Sequence, residues 1–135
     1  MKDNPIVIIP CGARKLGHSA QAQHMYIGSY HKMCQRYARS LTTPDSIYIL
    51  SAKYGLLKMT DMIEPYSLTL GQPGCVTPGH VQQQAKTLEI LDRPCIAVGG
   101  KKYTDLCRQI WRDCVTPLRG KGGNGKQMQW MKGRL

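Results

Sequence analysis

The stretch "PIVIIPCGARK", residues 5–15, sets four β-branched residues between two prolines and follows them at once with Cys11, Gly12, Arg14 and Lys15. A run this short and apolar at every position reads as a strand buried on both faces. Small and cationic residues directly after it suit a loop that approaches an anion closely.

The same grammar recurs along the chain. "SIYILS" (46–51) and "CIAVGG" (95–100) are further buried strands, and "VTPL" (115–118) is a weaker fourth. Helical spacing fills the gaps. From Ser29 to Leu41, Tyr30, Met33, Cys34, Tyr37, Ala38 and Leu41 share one face, while Lys32, Gln35, Arg36 and Arg39 lie outside it. A second helix is expected from Pro78 to Leu91, a third from Lys101 to Cys114, and a short last one from about Asn124. Strands alternating with helices predict one α/β domain over residues 1–135, with a three- to four-stranded, mainly parallel sheet flanked by helices. No internal repeat or linker interrupts the pattern.

Composition narrows the function classes. Nineteen Lys and Arg against eight Asp and Glu give a formal charge of +11, which favours polyanions and above all nucleic acid. Residues 1–44 hold six basic residues and one acid, and residues 115–135 hold five basic residues and none. No apolar run suits a membrane span, and the apolar stretch near Met1 is too short for a signal peptide, so a cytoplasmic protein without membrane partners is expected. The six cysteines form no Cys-x-x-Cys pair and the four histidines lack finger spacing. Reduced structural thiols are therefore expected, with neither a metal nor another cofactor.

In a parallel sheet ligands bind outside the carboxyl ends of the strands. That rule gathers Arg14, Lys15, Lys53, Lys101, Lys102, Arg119, Lys121 and Lys126 on one rim. The loop after the second strand, "SAKYGLLKMTDMIEPY" (51–66), reads as a turn at Tyr54 and Gly55, a core anchor at Leu56 and Leu57, then two carboxylates, Asp61 and Glu64. Either the carboxylates are ion-paired with neighbouring lysines, or one acts as a general base or supports a cationic transition state. "RGKGGNGKQ" (119–127) has the glycine and lysine spacing of a Walker A loop, but Gln127 stands where Ser or Thr would bind magnesium. It reads as a basic loop opening a helix, with Gly125 in a position to present backbone N–H groups to phosphate.

Residues 49–71 resemble the central signature of the YaaA-like peroxide-stress proteins through Ser51, Tyr54, Gly55, Leu56, Leu57, Asp61, Ile63, Pro65 and Tyr66, with Met59 and Ser67 departing from it. The whole chain is more similar to a smaller group of YaaA-like domains of unknown function in bacteria and phages. Cys11, Gly12 and Lys15, then Tyr26, Gly28 and Tyr30, then Pro117, Leu118, Gly125, Gln127 and Trp130 carry that likeness. The first motif also resembles a segment of the uracil-glycosylase-like domain of archaeosine synthases. These resemblances imply a YaaA-like or uracil-glycosylase-like fold, DNA rather than RNA as the favoured partner, and links to oxidative stress.

Two functions follow. The first is an enzyme cleaving or exchanging the N-glycosidic bond of a modified base in DNA. Lysines of the first two loops would grip phosphate; Tyr54 or Tyr66 would stack on the base; Ser51 and Gln127 would bond its edge. Asp61 or Glu64 would activate water, or Lys15 or Lys53 would act as nucleophile. Cys11, Gly12, Arg14, Gly55, Gly100, Lys101 and Tyr103 complete the expected substrate-binding set. The second is a DNA-binding protein of stress response or phage defence, without chemistry. Redox sensing at Cys11, beside Arg14 and Lys15, is a third reading.

Overall fold

Alternate residues of the first strand face opposite cores, which makes the architecture three-layered. Ile6 and Ile8 pack with Val81 and Ala85 of one helix and Leu106, Cys107 and Trp111 of another stretch; Val7 and Ile9 pack on the other side with Cys34, Tyr37, Ala38 and Met131. All four strand residues are essentially solvent-free, and burying side chains of this size contributes about 2 kcal/mol each. The computed structural model describes residues 4–135, which form one α/β domain.

The main sheet has four strands: β1 (Ile6–Pro10), β3 (Ile47–Ser51), β4 (Gly55–Lys58) and β6 (Cys95–Ala97), in the order β4-β3-β1-β6. β1 is parallel to both β3 and β6, whereas β4 is antiparallel to β3. A separate two-stranded ribbon pairs β2 (Ala20–Gln21) with β5 (Met62–Ile63). The helices are α1 (Ala22–Met25), α2 (Ser29–Leu41), α3 (Pro78–Thr87), α4 (Lys101–Ile110) and α5 (Asn124–Lys132), with a 3-10 turn at Pro44–Ser46. α1, α2 and α5 cover one sheet face, and α3 and α4 the other.

Helix α2 has the bounds its spacing predicts, but three expected elements are shorter. α3 stops at Thr87 because Glu89 turns the backbone to positive φ (59°). α4 stops at Ile110, although Trp111 and Cys114 beyond it remain buried in the same core. β6 ends at Ala97, and Gly99, at φ 134°, redirects the chain toward α4. The weak strand at 115–118 shrinks to one parallel bridge between Ile96 and Val115.

The larger correction concerns the segment after β3. It is not all loop: Gly55–Lys58 forms the sheet's antiparallel edge strand. Gly55 takes φ 76°, and Gln84 of α3 clamps the turn, accepting from Leu56 N–H (2.8 Å) and donating to the Tyr54 carbonyl (2.9 Å). A Cβ at Gly55 would collide with Gln84 Oε1. The turn therefore needs glycine for both its conformation and its clearance.

Candidate functional site

The connection leaving β1 runs through α2 to β3 on one side, while the chain leaving β6 runs through α4 to Val115 on the other. The strand order thus reverses between β1 and β6, and a crevice opens outside their carboxyl ends. It is a cavity of about 580 Å³ lined by Pro10–Arg14, Gly28–His31, Gly100–Tyr103 and Asn124. That volume is in the range of small-molecule and cofactor sites.

Three helices begin on this cavity, and each begins the same way. The N-caps of α2, α4 and α5 are Gly28, Gly100 and Gly123; none has a capping side chain and none of the first turns carries an acid. Backbone strain does not explain these glycines, because their φ angles are −70°, −75° and −76°, open to any residue. Space does not explain them either: a Cβ at Gly100 or Gly123 meets nothing within 4 Å, and one at Gly28 only grazes Arg14 Cβ at 4.0 Å. Their effect is to leave amide N–H groups without an internal acceptor, facing a positive-ended dipole toward the cavity. α3 starts away from the cavity and is capped conventionally, with Thr77 Oγ1 accepting from His80 N–H at 3.2 Å.

Cationic side chains ring the same space. Arg14, Lys101 and Lys102 line it. Lys101 is partly engaged, since Asp105 lies 2.6 Å from its Nζ and also holds Arg119 at 3.2 Å. Arg14 and Lys102 have no carboxylate partner among the described residues. His31 adds no charge: its Nδ1–H donates to the Pro10 carbonyl (2.7 Å) and its Nε2 accepts from Gln35 (2.9 Å). Burial outweighs the pull of that carbonyl and lowers its pKa to about 4. Neutral His31 therefore braces the loop after β1.

Cys11 sits in the cavity wall with its Sγ 3.2 Å from the Tyr103 hydroxyl. Beside it runs an aromatic row. Tyr54 and Tyr26 each meet the ring of Tyr66 edge-on, at 5.7 and 6.4 Å between centroids. Lys15 Nζ lies 4.4 Å over the Tyr66 ring and Lys53 Nζ 5.2 Å over Tyr54. Desolvation lowers the Lys15 pKa from the ordinary lysine value, against the opposing influence of Cys11. Burial raises that of Tyr26 to about 12 and raises Tyr66 as well.

The sequence-derived candidates divide accordingly. The structure brings together Cys11, Gly12, Arg14, Gly100, Lys101 and Tyr103 around the cavity, with Lys15, Lys53, Tyr54 and Tyr66 in the row beside it. Ser51 is fully buried and accepts from Lys53 N–H (3.1 Å) and Tyr54 N–H (3.0 Å) while donating to Tyr66 Oη (2.7 Å). It shapes the turn and is not free to read a base. Gln127 is likewise committed, to the Tyr30 hydroxyl and the Gly122 carbonyl, so it fastens the glycine-rich loop to α2. Gly55 belongs to the clamped hairpin, and Gly125 in the first turn of α5 lines neither the main cavity nor the adjoining 240 Å³ recess that Gly99, Gly120 and Gly122 help to form.

Asp61 fares worst. Because β4 runs antiparallel, Lys58 is level with Tyr48 at the amino end of β3, and Asp61 follows at that far end. Its Oδ2 caps the turn by accepting from Lys58 N–H (2.8 Å), and its carbonyl accepts from Ala22 N–H (2.7 Å). Glu64 is exposed, and its backbone N–H is held by Tyr54 Oη at 3.2 Å. Sequence reading missed Gly28, Ser29, His31 and Asn124 as wall residues. The available signal was glycine immediately before each helical pattern, where a capping residue is the usual choice.

A family model described as a family of unknown function (DUF6884) matches residues 6–133. No curated protein and no solved structure matches the chain.

Proposed function

The chain belongs to that family over nearly its whole length, and we propose that its cavity binds a phosphate-bearing nucleotide unit of nucleic acid, DNA in the first place. The observation that carries the reading is the set of uncapped helix N-termini on one cavity, with Arg14 and Lys102 beside them. Amide donors and aligned dipoles hold phosphate oxygens, and the remaining volume and the rings of Tyr30 and Tyr103 accommodate sugar or base. The overall charge of +11 attracts such a ligand from a distance.

Titrating the protein with a nucleoside monophosphate tests this. Binding is expected to weaken with salt and to drop about a hundredfold in Arg14→Ala/Lys102→Ala, as loss of two charge-assisted bonds of roughly 1.5 kcal/mol each predicts. Unchanged affinity in that double variant, or no binding by the parent protein, rejects the reading.

An enzyme acting at an N-glycosidic bond is favoured by one further observation, the partly desolvated Lys15 ammonium on the face of Tyr66 beside Cys11. A lowered pKa gives a larger share of free amine than an ordinary lysine has at the same pH. That amine attacks C1′, the bond to the base breaks, and the base leaves with the electron pair and takes up a proton. Opening of the sugar gives an imine, which water releases. Sodium borohydride would reduce the imine and trap protein on DNA, so trapping on base-modified duplexes that disappears in Lys15→Ala supports the enzyme. Binding without trapped adduct or free base on any duplex leaves the non-catalytic DNA-binding protein as the function.

A further inference from the structure

Outside the cavity, the outer face of α2 carries a cluster of cations. Lys32, Arg36 and Arg39 are all exposed there and, with His24 of α1, line a groove of about 410 Å³. Helix α2 contains no acidic residue. Among the described residues the carboxylate that forms ion pairs is Asp105, on α4, and it takes Lys101 and Arg119. The three cations of α2 are therefore not neutralised by the protein itself.

The groove is joined to the cavity by backbone pairing. Leu16 N–H donates to the Met25 carbonyl (2.9 Å), Ile27 N–H to that of Arg14 (3.0 Å), and Lys15 bridges to Tyr26. Arg14 lines the cavity, while Tyr26 and Ile27 line the groove. One basic track thus leads from Arg14 over Lys15 to Lys32, Arg36 and Arg39. At 1.5 Å per residue the α2 part spans about 10 Å, roughly three nucleotides at the helical rise of one strand.

We propose that this groove carries the phosphate backbone of the same nucleic-acid strand whose nucleotide occupies the cavity, so that the ligand is a polynucleotide and not a free nucleotide. The inference rests on the cavity reading and adds a second, separable surface to it. Uncompensated cations at helical spacing match a regular array of phosphates by charge.

The test compares a labelled single-stranded 12-mer with a nucleoside monophosphate, using the full chain, the groove variant Arg36→Ala/Arg39→Ala and the cavity variant Arg14→Ala/Lys102→Ala. Both groove positions are exposed and alanine favours helix, so the variant should fold normally, which circular dichroism checks. Two lost phosphate contacts should weaken 12-mer binding about tenfold at about 0.15 M salt and lower the salt slope by about 1.4. Monophosphate binding should stay within about twofold. The proposal is overturned if the groove variant binds the 12-mer like the parent, or if both ligands weaken together. It is also overturned if anionic phosphatidylserine vesicles, and not the 12-mer, lose binding in that variant. Failure of the cavity reading looks different: 12-mer binding then survives the cavity variant, or the parent protein binds neither ligand.

Discussion

If the bare N-caps exist to leave amides open for a ligand, filling one of them should raise stability and lower affinity together. Gly100 is the best place to try, since it borders both the main cavity and the adjoining recess, and a Cβ there meets open space. In Gly100→Asp the new carboxylate caps α4 and complements its dipole, adding about 0.5 kcal/mol to the unliganded protein. It also stands about 5 Å from a seated phosphate. At an effective dielectric of about 20 a unit pair at that distance repels by about 3 kcal/mol. Screening in a cavity open to solvent leaves about 1 kcal/mol of this. Diverting an amide from the ligand costs about 1 kcal/mol more, so the expected loss is about 2 kcal/mol, or roughly thirtyfold in Kd. Gly100→Asn caps without charge and should lose only the amide part, about fivefold. Gly100→Ala cannot cap; it should bind within about twofold of the parent and be slightly less stable. Urea unfolding and nucleotide titration read the two quantities on the same samples. Parent-like affinity in the Asp variant, or an Ala variant as impaired as the Asp one, refutes the reasoning.

Other outcomes follow from the remaining geometry. His31 is buried neutral with its pKa at about 4, so its contribution is fully present above the unfolded value of about 6.5 and is lost as pH falls through 4. Urea midpoints should therefore drop between pH 6.5 and 4, by up to about 3 kcal/mol, and His31→Gln should flatten that slope. Gly55→Ala should cost about 3 kcal/mol, from positive φ and the disrupted Gln84 clamp. Adding Gln84→Ala removes the collision, so the double variant should be less damaged than the sum of the singles, as a thermodynamic cycle would show. Asp61→Ala should lose a turn cap worth about 1 kcal/mol and keep nucleotide affinity within twofold; a marked loss of affinity would return this carboxylate to the site.

Much of this fold is legible residue by residue. The all-apolar runs at 6–10 and 47–51 declare two-sided burial, and the apolar stripe of α2 fixes its ends at Ser29 and Leu41. Cys11, Arg14 and Lys101 are recognisable as rim residues because they follow apolar runs or open a helix. Asp61 was misplaced because "GLLK" carries no sign of strand direction: an edge strand of four residues is set by its partner, here β3, and by a clamp from Gln84, far away in sequence. Ser51 and Gln127 look available as polar letters; only their packed surroundings reveal that their hydrogen bonds are already spent on Tyr66 and Tyr30.

The sequence by itself determined the layer order, the excess of cations and the placement of small residues after strands, since these depend on local periodicity and composition. The tertiary structure decided which of those residues meet. It reversed the chain after β3, carrying Asp61 to the opposite end of the sheet, and it brought the starts of α2, α4 and α5, at Gly28, Gly100 and Asn124, onto one cavity. Strand order and direction are set by long-range pairing, which no local window of sequence contains. A glycine before a helix is a small local choice; that three helices so begun share one space is decided only when the sheet has assembled around them.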